Sequence, residues 1–367
     1  MTTALDAVIV AGGRGTRLQP LTHDTPKPLV EFCGEPFLTG VLRRLAAAGV
    51  ERVLLVVGAD TSPFEVLQPT AAEIGIELEA VPEPEPLDTA GGVREVADRL
   101  RGPTIVCNGD ILTDIDFTAL VEHHVAHEAT ATIALTRVED TSSFGVCVRD
   151  GSRIVDFVEK PEPGSLPGQD TINAGTYVLD PEALLRFEPG RLSFERRVFP
   201  GLLDDGEHIE GFVWEGAWAD LGTPERLRDG TRMALDGALH WPSVEAVAAA
   251  GGGVRVAPSA DVDASATLVG PVLVLDGATI DADATVGPHV VVGARSAIGA
   301  KVTLSDSALG SGTTVGDGVT ASGLLTSPGV AIAADIEVLG DTVLGEGVAV
   351  ETPAQLPIGT RVPSPRA

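Results

Sequence analysis

An aliphatic residue stands at every sixth position from Val256 to Leu304, through Val262, Leu268, Val274, Ile280, Val286, Val292 and Ile298. Nine consecutive hits are hard to obtain by chance. Small residues and glycine fill the places between, so each hexad can form one flat face of a parallel β-helix with its aliphatic side chain pointing into the axis. Three hexads to a coil give roughly five coils over residues 254–350, on the order of 25 Å at a ~4.8 Å strand spacing. Near Gly310 the register slips, Leu309 and Val315 continuing it one place early, and the pattern is ragged from Ala331 to Val350. An irregular turn or loop is expected there.

The first part of the chain has a different rhythm. Strand-length apolar runs (AVIVAG, RVLLVVG, TIVCNGD, TATIAL) alternate with amphipathic stretches such as FLTGVLRRLAAAG and DFTALVEHHVAH. That alternation predicts βαβ units and a mainly parallel, Rossmann-like α/β sheet covered on both faces, with ligands at the carboxyl ends of its strands. The expected division is an α/β domain over 1–230, a helical linker over 231–253 ending in a flexible Gly251-Gly252-Gly253 joint, a β-helix over 254–350 and a loose proline-rich tail over 351–367.

Composition excludes some partners. The 25 Lys and Arg against 53 Asp and Glu give a net charge of −28, which repels nucleic acid and anionic membranes at long range. An anionic substrate would need a locally basic pocket or a divalent cation. Cys33, Cys107 and Cys147 form no spaced set, which fits a reducing cytoplasm better than a disulfide framework. No apolar run approaches membrane-spanning length and no leader precedes the first strand, so a soluble, untargeted protein is expected.

After the strand AVIV comes AGGRGTRLQPLTHDTPKPLV. Gly12, Gly13 and Gly15 permit tight turning and close backbone approach, while Arg14, Arg17 and Lys27 place cations beside them. This is a phosphate loop, though neither a Walker A motif nor a dinucleotide fingerprint.

From Gly12 to Leu29 the string resembles the signature of sugar-1-phosphate nucleotidyltransferases, and other landmarks come after it in order: TAGG from Thr89, NGD from Asn108, FG at Phe144, VEKP from Val158, NAGTYV from Asn173 and WADLGTP from Trp218. EPLDTAGG and LSFERRVFPGLL make the chain most similar to the GDP-mannose pyrophosphorylases, which share a hexapeptide-repeat tail; the repeat resembles left-handed β-helices.

The resemblance implies a reaction and a set of roles. A sugar-1-phosphate oxygen attacks the α-phosphorus of a nucleoside triphosphate in line and releases pyrophosphate. Both reactants are anions, so catalysis is mainly charge neutralisation and alignment. Arg17 is expected on the β- and γ-phosphates, Lys27 near the α-phosphate, and Lys160 on the sugar phosphate. Asp110 and Asp220 are expected to hold Mg²⁺, which takes one or two carboxylates with phosphate oxygens and water. Ala11, Gly12, Gly13, Gly15, Thr16, Thr89, Gly91, Asn108 and Gly109 complete the expected nucleotide contacts. Gly145, Glu159, Asn173 and Gly175 join Lys160 around the sugar phosphate, with Glu159 and Asn173 reading hydroxyls. Where the family usually has glycine, this chain has Asp88; its side chain either faces solvent or accepts from the two donors on guanine's pairing edge.

GTP and mannose-1-phosphate are the best-supported substrates. Glucose-, heptose- or cyclitol-1-phosphate with dTTP, ATP or UTP keeps the same chemistry. A catalytically silent nucleotide-sugar binder is the reading from another class, and retention of Arg17, Lys27, Asp110, Lys160 and Asp220 opposes it. An acyltransferase on the β-helix would need a catalytic histidine, and His289 is the only one in that region. The helix is therefore read as a spacer and homo-oligomer surface. His123, His124 and His127 lie on a predicted helix, with His123 and His127 spaced like zinc ligands. No third ligand is evident in sequence, so a solvated helix face is expected.

Overall fold

The computed structural model describes residues 5–166, 168–351 and 354–365. It contains two compact units: the chain up to Gly13 with Val41–Trp218, and Arg14–Gly40 with the chain from Ala219 onward.

The first unit is built on a nine-stranded sheet. Its strands are β1 (Leu5–Val10), β2 (Val50–Val57), β3 (Glu77–Pro82), β4 (Thr104–Asn108), β5 (Ala131–Arg137), β6 (Gly145–Asp150), β7 (Arg153–Glu159), β8 (Thr171–Leu179) and β9 (Ile209–Val213), in the order β3-β2-β1-β4-β8-β5-β9-β7-β6. Helices α1 (Asp88–Val96) and α2 (Phe117–Ala126) belong to it. Ala7, Val8, Ile9, Val53, Leu54 and Leu55 are fully buried, as strands covered on both faces require.

The expected mainly parallel sheet is in fact mixed. β3, β2, β1 and β4 are parallel neighbours, and β9 runs parallel to β5. β8 is antiparallel to β4 and β5, and β7 to β9 and β6. Only the two-residue turn Gly151-Ser152 joins β6 to β7, and strands joined so tightly pair antiparallel. Behind β8 an aromatic cluster fills the core: Tyr177 lies 4.9 Å from Phe194 and 5.1 Å from Phe199 between ring centroids.

In the second unit, three parallel sheets of seven, six and six strands form the left-handed β-helix. Val274, Ile280, Val286, Val292, Ile298 and Leu304 are buried in its axis. Neighbouring coils are offset by 18 residues at first, as in Val272 on Val290, then by 17, as in Val290 on Ser307 and Ala308 on Leu325, then by 18 again, as in Leu324 on Thr342. The slip is thus no irregular loop. Single residues, Asp306 and Gly323, make corners that take three residues in the coils on either side, at 287–289 and 339–341, and both adopt left-handed φ, 54° and 67°. The hexad then resumes at Ile332, Val338, Leu344, Val350 and Leu356, all buried.

The tail is not loose where it is described. Gln355–Leu356 pairs with Glu337–Val338, and Arg361–Val362 with Val343–Leu344, adding strands to the stack. Leu356 covers the last hydrophobic layer. Thr352, Pro353, Arg366 and Ala367 lie outside the described residues.

The segment expected as a linker is packed. Helix α3 (Pro224–Leu235) is capped by the Thr223 side chain and ends well before the glycines, which form a 3₁₀ turn. Trp241 is 1% exposed and stacks on Phe37 at 5.3 Å, with Phe32 edge-on at 5.2 Å. A Cβ on Gly40 would lie 2.3 Å from the indole, so that position admits only glycine.

Candidate active site

Three parallel strands end together. Val10 pairs with Val56 on one side and Asn108 on the other. Beyond them the chain turns away while staying bonded to the sheet: Ala11 N–H donates to Val56 O at 2.7 Å and Gly109 N–H to Val10 O at 2.8 Å. A Cβ on Gly109 would crowd Val10 O at 3.1 Å, whereas one on Gly13 would meet nothing. Gly13 therefore presents open backbone, and Asp110, half-buried, comes directly after the strand end.

Glu83, which no sequence motif marks, sits in this mouth. Its N–H donates to Val57 O at 2.7 Å, and its Oε2 lies 3.0 Å from where a Cβ on Gly12 would be. Oε1 is buried without a hydrogen-bond partner among the described residues. Burial, reinforced by the charge of Asp88, raises the carboxyl above its ordinary value against the pull of the Leu87 backbone. The only signal in sequence was an acidic residue just past the end of β3, inside the PEPEP run.

Asp88 has other work. It opens α1 at φ 68°, the left-handed region that glycine tolerates. Its Oδ1 accepts from Thr89 N–H at 3.0 Å and its Oδ2 faces Arg191 Nε at 3.4 Å. Each oxygen thus has a partner within the protein, and the side chain, 24% exposed, serves the backbone at the start of α1. Thr89 donates its hydroxyl to Glu195 Oε2 at 2.7 Å and accepts from Phe194 N–H at 3.0 Å. Gly91 N–H donates to Leu192 O at 3.1 Å, and a Cβ there would lie 2.5 Å from Gly190 O. These two groups hold the LSFE segment against α1.

Farther along the sheet, Gly145 pairs with Glu159 across β6 and β7. A Cβ on Gly145 would collide with Phe157 at 2.6 Å and approach Glu159 Oε2 at 3.0 Å. Burial and then the charge of Glu195 raise the Glu159 carboxyl above its usual value, against the attraction of Lys160. Lys160 is 60% exposed, 3.8 Å from Glu159 Oε1, and anchored by its N–H to Phe144 O at 3.0 Å. Asn173 starts a bulge in β8: its Nδ2 donates to Tyr177 Oη at 2.9 Å and its Oδ1 accepts from Gly175 N–H at 2.8 Å. One amide hydrogen and one lone pair remain for a ligand. At Gly175, φ 72°, a Cβ would lie 2.8 Å from Asn108 Nδ2, so glycine here lets the two motifs touch.

The second unit gathers the cations. Gly15 turns at φ 59° with no room for a Cβ, Lys27 Cβ being 2.9 Å away, and Thr22 Oγ1 donates to its carbonyl at 2.7 Å. The short helices Thr16–Leu18 and Lys27–Leu29 then present Arg17 and Lys27 to one carboxylate. Lys27 Nζ lies 3.6 Å from Asp220 Oδ1, Arg17 Nη2 4.0 Å from Asp220 Oδ2, and Arg226 Nη1 3.4 Å from the same oxygen. Arg17 is 72% exposed and Lys27 only 10%. Gly222 makes this possible, because a Cβ there would sit 3.0 Å from both Arg17 Nη2 and Asp220 Oδ1. Arg226 was not legible as a site residue, since only the first turn of α3 brings it back over Asp220. Thr16 is exposed on the same turn.

Residues 6–237 match the family profile described as nucleotidyl transferase. The chain belongs to the nucleotidyl transferase family. Every expected site residue falls inside the matched span, and residues 268–360 match a second profile, the GMPPB C-terminal domain. The mannose-1-phosphate guanylyltransferase of Mycobacterium tuberculosis is 40% identical over 283 residues, 76% of this chain and 77% of the relative. The mannose-1-phosphate guanyltransferase of Hypocrea jecorina is 38% identical over 70% of this chain and 73% of its own. Among solved structures, HddC from Yersinia pseudotuberculosis, also solved with GMP-PN, is similar at TM-score 0.53 and 27% identity, covering 62% of this chain and 97% of that one. This nucleotidyl transferase is accordingly an enzyme whose substrates are a nucleotide and a sugar phosphate. No helix among its described residues is long and apolar enough to cross a membrane.

Proposed function

We propose that this enzyme transfers GMP from GTP to mannose-1-phosphate, giving GDP-mannose and pyrophosphate. The observation that carries the substrate choice is the name shared by its relatives, two of them 38% and 40% identical over most of both chains.

Within that reading, Arg17 and Lys27 neutralise the triphosphate, Lys27 toward the α-phosphate and Arg17 toward the β- and γ-phosphates. Gly12, Gly13 and Gly15 let backbone approach the nucleotide. To Glu83 we assign the guanine reading that was one of two expectations for Asp88: a desolvated carboxylate accepts the two N–H donors of guanine's pairing edge and has nothing to offer adenine's acceptor at that position. Lys160 binds the sugar phosphate, while Glu159 and the free valences of Asn173 address ring hydroxyls. The attacking phosphate is already ionised, so no general base is assigned.

Asp220 and Asp110 are the carboxylates we assign to a Mg²⁺ ion. The fit rests on hard oxygen donors, Asp220 Oδ1 being buried without a hydrogen bond among the described residues despite its charged neighbours. When bound, the ion would neutralise phosphate charge at the reacting end of the nucleotide. We further place the enzyme in the cytoplasm, where its three buried free cysteines stay reduced, and assign homo-oligomer contacts to the repeat.

A pyrophosphate-release assay crossing five nucleoside triphosphates with a panel of sugar-1-phosphates, with and without Mg²⁺, tests this directly. GTP with mannose-1-phosphate is expected to give the highest kcat/KM and to need the metal. A higher value for another pair reassigns the substrates, and no turnover with any pair overturns the reading.

A further inference from the structure

Of His123, His124 and His127, which were expected on a solvated face, only His127 is exposed. His124 is 2% exposed, its Nδ1 3.0 Å from Thr132 Oγ1. His123 and His127, one turn apart, lie with ring centroids 4.1 Å apart and planes tilted by 33°, beside Glu210, the second residue of β9, which is itself 2% exposed. Ligand atoms of His123, His127 and Glu210 all lie within 4.8 Å of one another. His123 Nε2 and Glu210 Oε2 face each other at 3.5 Å, and both are buried atoms without a hydrogen-bond partner among the described residues.

We propose that His123, His127 and Glu210 form a binding site for a divalent transition metal of the Zn²⁺ class. Two imidazoles and one carboxylate are a common zinc donor set, with water left for the fourth position. Bonds of about 2.0–2.2 Å in a tetrahedron put ligand atoms roughly 3.4 Å apart; the His123 to Glu210 separation already has that value, and the exposed His127 ring is free to close. The outer bonds are those a metal site needs. His127 Nδ1 is 2.8 Å from His123 O, which puts its proton there and leaves Nε2 as the donor atom. His208 Nε2, 2.7 Å from Glu210 Oε1, steadies the carboxylate through the oxygen that does not ligate.

The site is separate from the nucleotide loop. β9 runs parallel to β5, which is antiparallel to β8, itself antiparallel to β4, so β9 and β4 point the same way. Glu210 stands near the start of β9, and Gly109 just past the end of β4. The ion therefore lies at the opposite ends of the strands from Gly109 and the glycines that follow β1, where it ties α2 to β9 and takes no part in transfer.

The test is a Zn²⁺ titration of the chelator-stripped full-length chain in excess Mg²⁺, read by competition with a chromophoric chelator, by Co²⁺ absorption and by thermal melting. One equivalent should bind in the presence of Mg²⁺, give the visible spectrum of four-coordinate Co²⁺ and raise the melting temperature by at least about 3 °C. His127→Ala and the milder His127→Asn, both at an exposed position, should weaken Zn²⁺ at least about tenfold while the stripped proteins melt with the wild type. Asp220→Asn should leave Zn²⁺ affinity unchanged. No saturable binding, which would leave only an imidazole–carboxylate pair, overturns the proposal. So does binding that survives both His127 variants or is lost with Asp220→Asn.

Discussion

Asp88 shows how a single residue can break a pattern without acquiring a new task. A left-handed φ costs a residue with a Cβ about 1 kcal/mol or more over glycine, and the bond from Thr89 N–H to the Asp88 carboxylate offsets part of that. Asp88→Gly should hold or raise stability by up to about 1 kcal/mol in chemical denaturation, with the preference for GTP over ATP intact. Glu83→Gln should behave in the opposite way. Replacing one acceptor oxygen by an N–H₂ group at a desolvated site should lower kcat/KM for GTP roughly tenfold or more and narrow the GTP to ATP ratio, with stability little changed. An unaltered ratio would remove Glu83 from base recognition. The glycine, arginine and lysine positions of the loop were legible in sequence because their chemistry is local. Glu83, Arg226 and Glu210 were not, because each becomes interesting only when the fold, by a helical turn for Arg226 and by a distant element for the other two, leaves its charged atoms facing a neighbour.

Among elements, the start of β1 is held by charge. Asp6, 1% exposed, accepts from Arg52 at 2.7 Å and from Arg101 Nε and backbone N–H at 2.9 and 3.0 Å, which joins β1, β2 and the turn before β4. Burial opposes the ionised carboxyl, but the bonds from Arg101 and Arg52 outweigh it and depress the pKa. Its stabilisation is therefore fully present above the unfolded value of about 3.9 and lost as pH falls through the lower folded value. Asp6→Asn should cost about 3 kcal/mol near neutrality, by taking the buried counter-charge from Arg52 and leaving Arg101 only the exposed Glu51 at 3.8 Å. Urea melts at stepped pH should show the gap to wild type closing in acid; a constant gap would deny the charge its role. α3 makes a second such arrangement with the repeat. Arg228 donates to Asp341 at 2.8 Å, Arg232 to Asp306 at 2.6 Å, and His289 meets Asp236 at 2.9 Å. Eight helical residues rise about 12 Å, and three coil steps of ~4.8 Å cover about 14 Å, so successive turns of α3 meet successive corners. The hexad was visible because every sixth side chain is buried. The shortened corners were not, because a lost residue looks like noise until the coil above and below supplies its register.

At the scale of the whole chain, order in sequence and order in space diverge. The boundary expected near 230 tracks the change in periodicity, whereas residues 14–40 pack with the chain from Ala219 onward. The reason lies in a few contacts that no periodicity records. Gly34, at φ 90°, has Leu275 Cδ1 where a Cβ would be, only 2.0 Å away, and Glu31 accepts from Ser311 N–H at 2.8 Å. The stretch carrying Lys27 thus runs directly into a segment seated on the β-helix. A fragment ending at Gly253 should bind nucleotide poorly and lose on the order of a hundredfold in kcat/KM, the scale of a small misplacement of aligned groups. Steady-state kinetics of the fragment against the full chain would check this, and equal rates would reduce the repeat to a passive appendage.

The seat of Gly34 on Leu275 also constrains how such enzymes can recombine. A crossover at residue 230 or 253 would join a loop from one parent to a repeat from another and mismatch that contact. A viable chimaera has to inherit residues 14–40 together with everything after 219 from the same parent, so the phosphate loop and the repeat are passed on as one piece although some two hundred residues of chain lie between them.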